Sequence, residues 1–97
     1  MKNAFGDLIK QKRGEQGISQ RDLAAKAKVS AAYISMVENG HESMKFSEEF
    51  VVAAAACLAI DVDEAFCAAG RVPDEMRKFI TSSPEVMRGV RSAMRQL

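Results

Sequence analysis

The sequence predicts an all-α fold, and three observations carry that expectation. Proline and glycine are scarce, at 2 and 6 of 97 residues, while alanine, leucine, lysine, arginine and glutamate are common, a balance typical of helical domains. Apolar residues recur at 3–4 spacing in stretch after stretch, the period of a helix with one buried face. Ser19, Ser30, Ser47, Asp61 and Ser83 each precede such a stretch, and their side-chain oxygens suit them to accept from the free amides of a first helical turn. A chain of this length supports one domain with a single small core.

The first helix is expected from about Asn3 or Ala4 to Gln16, stopped by Gly17, with Phe5, Leu8, Ile9 and the Lys12 stem as its buried stripe. Ser19, with Asp22 three residues on as a capping-box partner, opens a second helix whose inward face is Leu23, Ala24 and Ala27. Ser30 caps a third, so the second must stop near Ala27. The third ends at Asn39-Gly40, a pair suited to a left-handed C-terminal position. Ser47-Glu48-Glu49 begins a fourth, with Phe50, Val51, Ala54, Ala55 and Leu58 facing the core, and Asp61 with Glu64 opens a fifth that ends near Ala69-Gly70.

The third helix divides its surface unusually. With Ile34 at the centre of the inward face and Val37 beside it, the ~100° step per residue puts Ala32, Ser35, Met36 and Asn39 outward. That outward face carries no charge, where a solvated helix face carries Lys and Glu. Small residues let a helix backbone approach another surface closely, and the DNA major groove, ~12 Å wide, admits one such helix.

The stretch from Ser19 to Gly40, SQRDLAAKAKVSAAYISMVENG, resembles the helix-turn-helix of the phage-repressor-like (Cro/XRE) family of bacterial DNA-binding regulators. The points of match are Ser19-Gln20, Leu23-Ala24, Val29-Ser30, Tyr33-Ile34-Ser35 and Glu38-Asn39-Gly40, continuing through Ala55, Leu58, Ile60 and Asp63-Glu64. The resemblance spans roughly residues 5–70 and implies a five-helix repressor-like DNA-binding domain over residues 1–70. It further implies that Arg13 pairs with Glu38, tying the first helix to the third; arginine, planar and bidentate, suits that task. The net contribution of such a pair to stability is expected to be near zero. Gln20, in the first turn of the second helix, is implied to contact DNA phosphate, where helix amides favour an anion. Lys28 departs from the family's usual glycine in a turn that wants a left-handed backbone, at a cost of ~1 kcal/mol, and adds a positive charge near DNA.

Base-reading candidates are Ala31, Ala32, Ser35 and Met36. Alanine and methionine offer apolar contact to the thymine methyl group, and serine donates to or accepts from either base type. With no Arg–guanine or Gln–adenine pair among them, direct readout is expected to be modest, and DNA shape should carry part of the specificity. Ser30, Tyr33 and Asn39 are candidates for backbone contact, with packing over the second helix as the other reading of Tyr33. The loop from His41 to Phe46 is longer than the family's usual connection and offers His41 and Lys45 to phosphate. A lone histidine is otherwise an ordinary surface residue.

Beyond Gly70 the resemblance fades, and residues 71–97 form an extension of one or two helices. Val72-Pro73-Asp74 starts a short helix through about Thr81, and Ser83-Pro84-Glu85 starts the last one. The last helix places Val86, Met87, Val90, Ala93, Met94 and Leu97 along one side, with Arg88, Arg91 and Arg95 off that stripe. Such a helix must cover something: a second copy, which is the favoured reading, a partner protein, or its own domain.

The net charge of +1 is poor support for a nucleic-acid binder, but its distribution is informative. Residues 1–30 carry seven Lys/Arg against three Asp/Glu, residues 31–70 one against seven, and residues 71–97 six against three. Positive charge thus gathers ahead of the third helix and in the tail, where phosphate contacts can be drawn from. Cys57 and Cys67 form no CxxC and have no partner histidines, so they are expected to be small buried hydrophobes in a reducing compartment rather than metal or redox groups. The longest apolar run, Phe50 to Ile60, is too short to cross a bilayer, and MKNAFGDLIK lacks a signal-peptide core; a cytoplasmic location is expected.

A single histidine, no glycine-rich phosphate loop and no paired catalytic carboxylates argue against an enzyme, and no cofactor or metal is expected. The leading expectation is a sequence-specific transcription regulator, a repressor in the first instance, binding a palindromic operator in double-stranded DNA as a homodimer. The competing one is an antitoxin-type regulator whose last helix holds a second protein.

Overall fold

The computed structural model describes residues 3–41 and 44–97; Glu42 and Ser43 of the predicted loop lie outside the described residues. The described residues form seven helices: α1 (Ala4–Gln16), α2 (Gln20–Ala27), α3 (Ala31–Asn39), α4 (Glu48–Leu58), α5 (Val62–Ala69), α6 (Asp74–Ile80) and α7 (Pro84–Arg95). The chain is all-α. Five of the starts are capped by the side chain expected to do so: Ser19, Ser30, Ser47, Asp61 and Ser83 accept from Asp22, Tyr33, Phe50, Glu64 and Val86 amides. Each such cap contributes about 1 kcal/mol.

Among the described residues the core is built by α1–α5 with Phe46 and Ile60 from the segments between them. Phe5 and Ile9 of α1, Leu23 of α2, Ile34 and Val37 of α3, and Val51 and Leu58 of α4 are fully buried, closed from below by Ala65 and Phe66 of α5. Phe5 sits at an aromatic junction, edge-on to Phe46 at 5.1 Å and to Phe50 at 6.0 Å, the arrangement the ring quadrupole prefers. The alanines of α4 let it pack closely: Ala54 and Ala55 are buried against its neighbours. Helices α6 and α7 contribute no buried residue, and the principal packing partner of α7 is α6.

Two local expectations need correction, and one helix end has no signal in the sequence. Gly40 is extended (φ −81°, ψ 175°) and not left-handed. Asn39 Nδ2 donates to the Ser35 carbonyl at 2.9 Å, satisfying a terminal acceptor of α3 without a left-handed turn. Glycine is required there for space: a Cβ would meet the Met44 sulfur and stand 2.7 Å from the Met36 carbonyl oxygen. Helix α4 ends on a left-handed Ala59 (φ 54°) with no glycine to mark it, and the Ile60 amide donates back to the Ala55 carbonyl. Secondly, of the two cysteines expected to be buried, Cys57 is half-buried and Cys67 is exposed, because α5 turns that side away from the core.

Candidate nucleic-acid interface

The α2–α3 unit is held in a fixed angle by its turn and by α1. Lys28 adopts the left-handed conformation (φ 59°, ψ 42°) that the turn requires, and the Val29 amide returns to the Ala24 carbonyl at 3.0 Å. The chain accepts a strained lysine where glycine would be relaxed.

Two connections lock α3 to α1. At one end of α1, Asn3 is buried; its oxygen accepts from the Gly6 amide and its Nδ2 donates to the Val37 carbonyl at 3.0 Å. Gly6 lies against that same carbonyl, and a Cβ there would collide with it. At the other end, Arg13 Nε and Nη2 donate to Glu38 Oε2 and Oε1 at 2.8 and 2.9 Å, and Arg13 Nη1 donates to the Ile18 carbonyl at 3.0 Å. Gln20 Nε2 adds a third donor to Glu38, at 3.2 Å from Oε1. Burial alone would push the Glu38 carboxyl up, but the bonds from Arg13 and Gln20, with the charges of Arg13 and Lys10, hold it below the ordinary 4.5. The bond to Glu38 raises the Arg13 value, against its own partial burial. A buried carboxylate with its acceptor sites filled in this way is rigid.

The outward face of α3 is open. Ala32 and Asn39 are exposed, Met36 is 55% exposed and Ser35 is half-buried. Ala31 shares that end of the helix but packs partly against the core. Tyr33 is also half-buried: its ring packs against the core and stands edge-on to Phe50 of α4 at 5.1 Å. Burial raises the Tyr33 phenol above 10.0, keeping a neutral O–H that can donate. Lys28, Ser30, His41 and Lys45 are exposed. Ser30 Oγ is engaged as an acceptor by the Tyr33 amide, and a hydroxyl so placed keeps its proton for another acceptor. Gln20 is half-buried with its amide turned to Glu38.

The geometry is therefore a charge-free, small-residue helix face beside exposed cations, standing on a rigid polar anchor. Such a surface can enter a groove of paired bases while its rim meets phosphate. Asn3 escaped sequence reasoning. Its place at a helix start was visible; its second bond, across to Val37, is a long-range contact with no local signal. Among the described residues no group of His, Cys, Asp and Glu side chains could hold a metal ion, and no helix is long and apolar enough to cross a membrane.

A model of the helix-turn-helix family (HTH_3, the Cro/C1 type) matches residues 9–64. Among solved structures, the chain is similar to one in the SinR protein/SinI protein complex, with 27% sequence identity, a TM-score of 0.57 and 95% of each chain covered. A search of curated proteins returns no match.

Proposed function

The chain belongs to the Cro/C1-type helix-turn-helix family of DNA-binding transcription regulators, and from that premise we propose that it represses transcription by binding a palindromic operator as a homodimer. The observation that carries this reading is the open outward face of α3, with Ala32 and Met36 accessible and no charge among its outward residues. Two copies would present these helices to successive major grooves ~34 Å apart. Ala31, Ala32, Ser35 and Met36 read base edges, mainly by apolar contact with thymine methyl groups. Gln20, Lys28, Ser30, Tyr33, Asn39, His41 and Lys45 hold the phosphate backbone. For Gln20, the bond to Glu38 favours a role in which side chain and helix-terminal amides are oriented before DNA arrives. Such a regulator works in the cytoplasm.

Selection from random duplexes tests this directly. Two related half-sites with centres ~10 base pairs apart, or a multiple of that spacing, are expected. Enrichment of no sequence, or of a single unpaired half-site, would contradict the proposal.

A second reading has its own support. The apolar stripe of α7 is only partly covered in the single chain, with Met94 63% exposed, and the similar solved chain comes from a complex of two proteins. On this reading Val86, Met87, Val90, Met94 and Leu97 hold a different protein. Purification from the native host separates the two: a stoichiometric second chain favours the partner, and a pure homodimer counts against it.

A further inference from the structure

We infer that α7 of one copy seats its apolar stripe in the groove between α5 and α6 of a second copy, which returns its own α7 in exchange. This names both sides of the homodimer interface and rests on the homodimer reading above.

Both halves are incompletely covered in the single chain. On α7, Val86 and Val90 are half-buried, while Met87 is 36% and Met94 63% exposed, all along one side of the helix. The groove is two adjoining hollows of about 460 and 320 Å³ that share Asp63, Phe66, Pro73 and Met76. Its apolar rim is exposed too: Val62 is 44%, Val72 52% and Met76 48% accessible. The stripe from Val86 to Met94 spans ~12 Å of helix, short enough to lie along such a hollow.

The shape of the chain fits an arm offered outward. Its radius of gyration is 15.4 Å and its long dimension 46 Å, against a radius of ~12–13 Å for a compact domain of this length. The arm packs on α6 and has no substantial contact with α1–α5, which leaves the Met87 and Met94 part of its apolar face for another molecule.

Charge selects a second copy as the occupant. The charged residues of α7 are Glu85, Arg88, Arg91 and Arg95, whereas the groove is edged by Glu48, Asp63 and Glu75, with Arg71 as its one lining cation among the described residues. That cation donates from Nη1 to the Phe46 carbonyl at 3.2 Å and is outnumbered by the three carboxylates. A basic amphipathic arm and an acid-edged apolar groove on the same chain are complementary. Pairing α7 with α7 would instead bring two sets of arginines together. Exchange of one arm for one groove closes a two-fold dimer with no open end.

Cys67 lines the groove and is exposed, so it reports on the occupant. In full-length chains carrying Cys57→Ala, either Val90→Cys or Met94→Cys is introduced, and isotopically light and heavy chains are mixed before mild oxidation. The expected result is a dimer in sedimentation with a disulfide from the new cysteine to Cys67 of the other chain in at least one variant, lost on adding Cys67→Ala. A dimer cross-linked only between the two new cysteines, or not cross-linked at all, would overturn the exchange while leaving the homodimer standing. A disulfide to Cys67 within one chain would overturn it in favour of self-capping. A monomer at every concentration would remove both the exchange and the homodimer.

Discussion

Arg13 and Glu38, 25 residues apart in sequence, meet through two parallel hydrogen bonds of 2.8 and 2.9 Å with the carboxylate side chain only 2% exposed. The pair fixes α3 to α1, and its energetics are asymmetric. Replacing Arg13 with leucine strands a buried carboxylate and should cost about 3–5 kcal/mol of stability. Replacing both residues with leucine should recover most of that loss. Urea denaturation of the two variants checks this; equal losses in both would show that Glu38 is not the source of the cost.

The same carboxylate sets an acid-side dependence. Its value in the folded chain lies below the ordinary 4.5, so its contribution is fully present above the unfolded value and is lost as pH falls through the folded one. Stability should therefore decline below about pH 4.5, and Glu38→Gln, although less stable at neutral pH, should show a shallower decline. Parallel curves for the two proteins would mean that other carboxylates dominate.

On the reading face, Ala32→Glu or Met36→Glu should leave the fold intact, because both positions are exposed. Each should reduce operator affinity at least ~100-fold by placing a carboxylate against groove acceptors and phosphates. Fluorescence anisotropy on a selected operator is the measurement. Unchanged affinity with a normal circular dichroism spectrum would mean that DNA meets a different surface.

Gln20→Ala should weaken binding to every duplex by about the same factor, ~5–10-fold for one hydrogen bond. A change of preference confined to one base pair would make Gln20 a base reader instead.

Lys28 separates stability from binding. Lys28→Gly relieves a left-handed side chain (φ 59°) and should raise stability by up to ~1 kcal/mol. It also removes a cation, so it should lower DNA affinity and reduce the salt dependence by about one counterion. A loss of stability, or an unchanged salt slope, would refute one or the other assignment.

Much of the fold was legible because its signals are local. Ser19, Ser30, Ser47, Asp61 and Ser83 announce helix starts through a bond that spans three residues, and the apolar stripe of α4 follows from period alone. The charge-free face of α3 is likewise a matter of register. The partnership of Arg13 with Glu38 was a different kind of inference, drawn from resemblance, since no spacing rule connects residues so far apart. What escaped depends on long-range packing. Gly40 is a glycine because of Met36 and Met44, not because of its own backbone angle. Ala59 turns left-handed with no residue to announce it, and Cys67 is exposed because α5 covers the core with only one side. The amphipathic pattern of α7 told that it must cover something, but a pattern on one chain does not say what.

Titration of the isotopically labelled chain with its selected operator, followed by amide chemical shifts, tests the role of α3 most directly. The largest shifts are expected at residues 19–21 and 30–36, with α5 undisturbed. Shifts concentrated elsewhere, with the amides of Ala32 and Met36 unmoved at saturation, would contradict it.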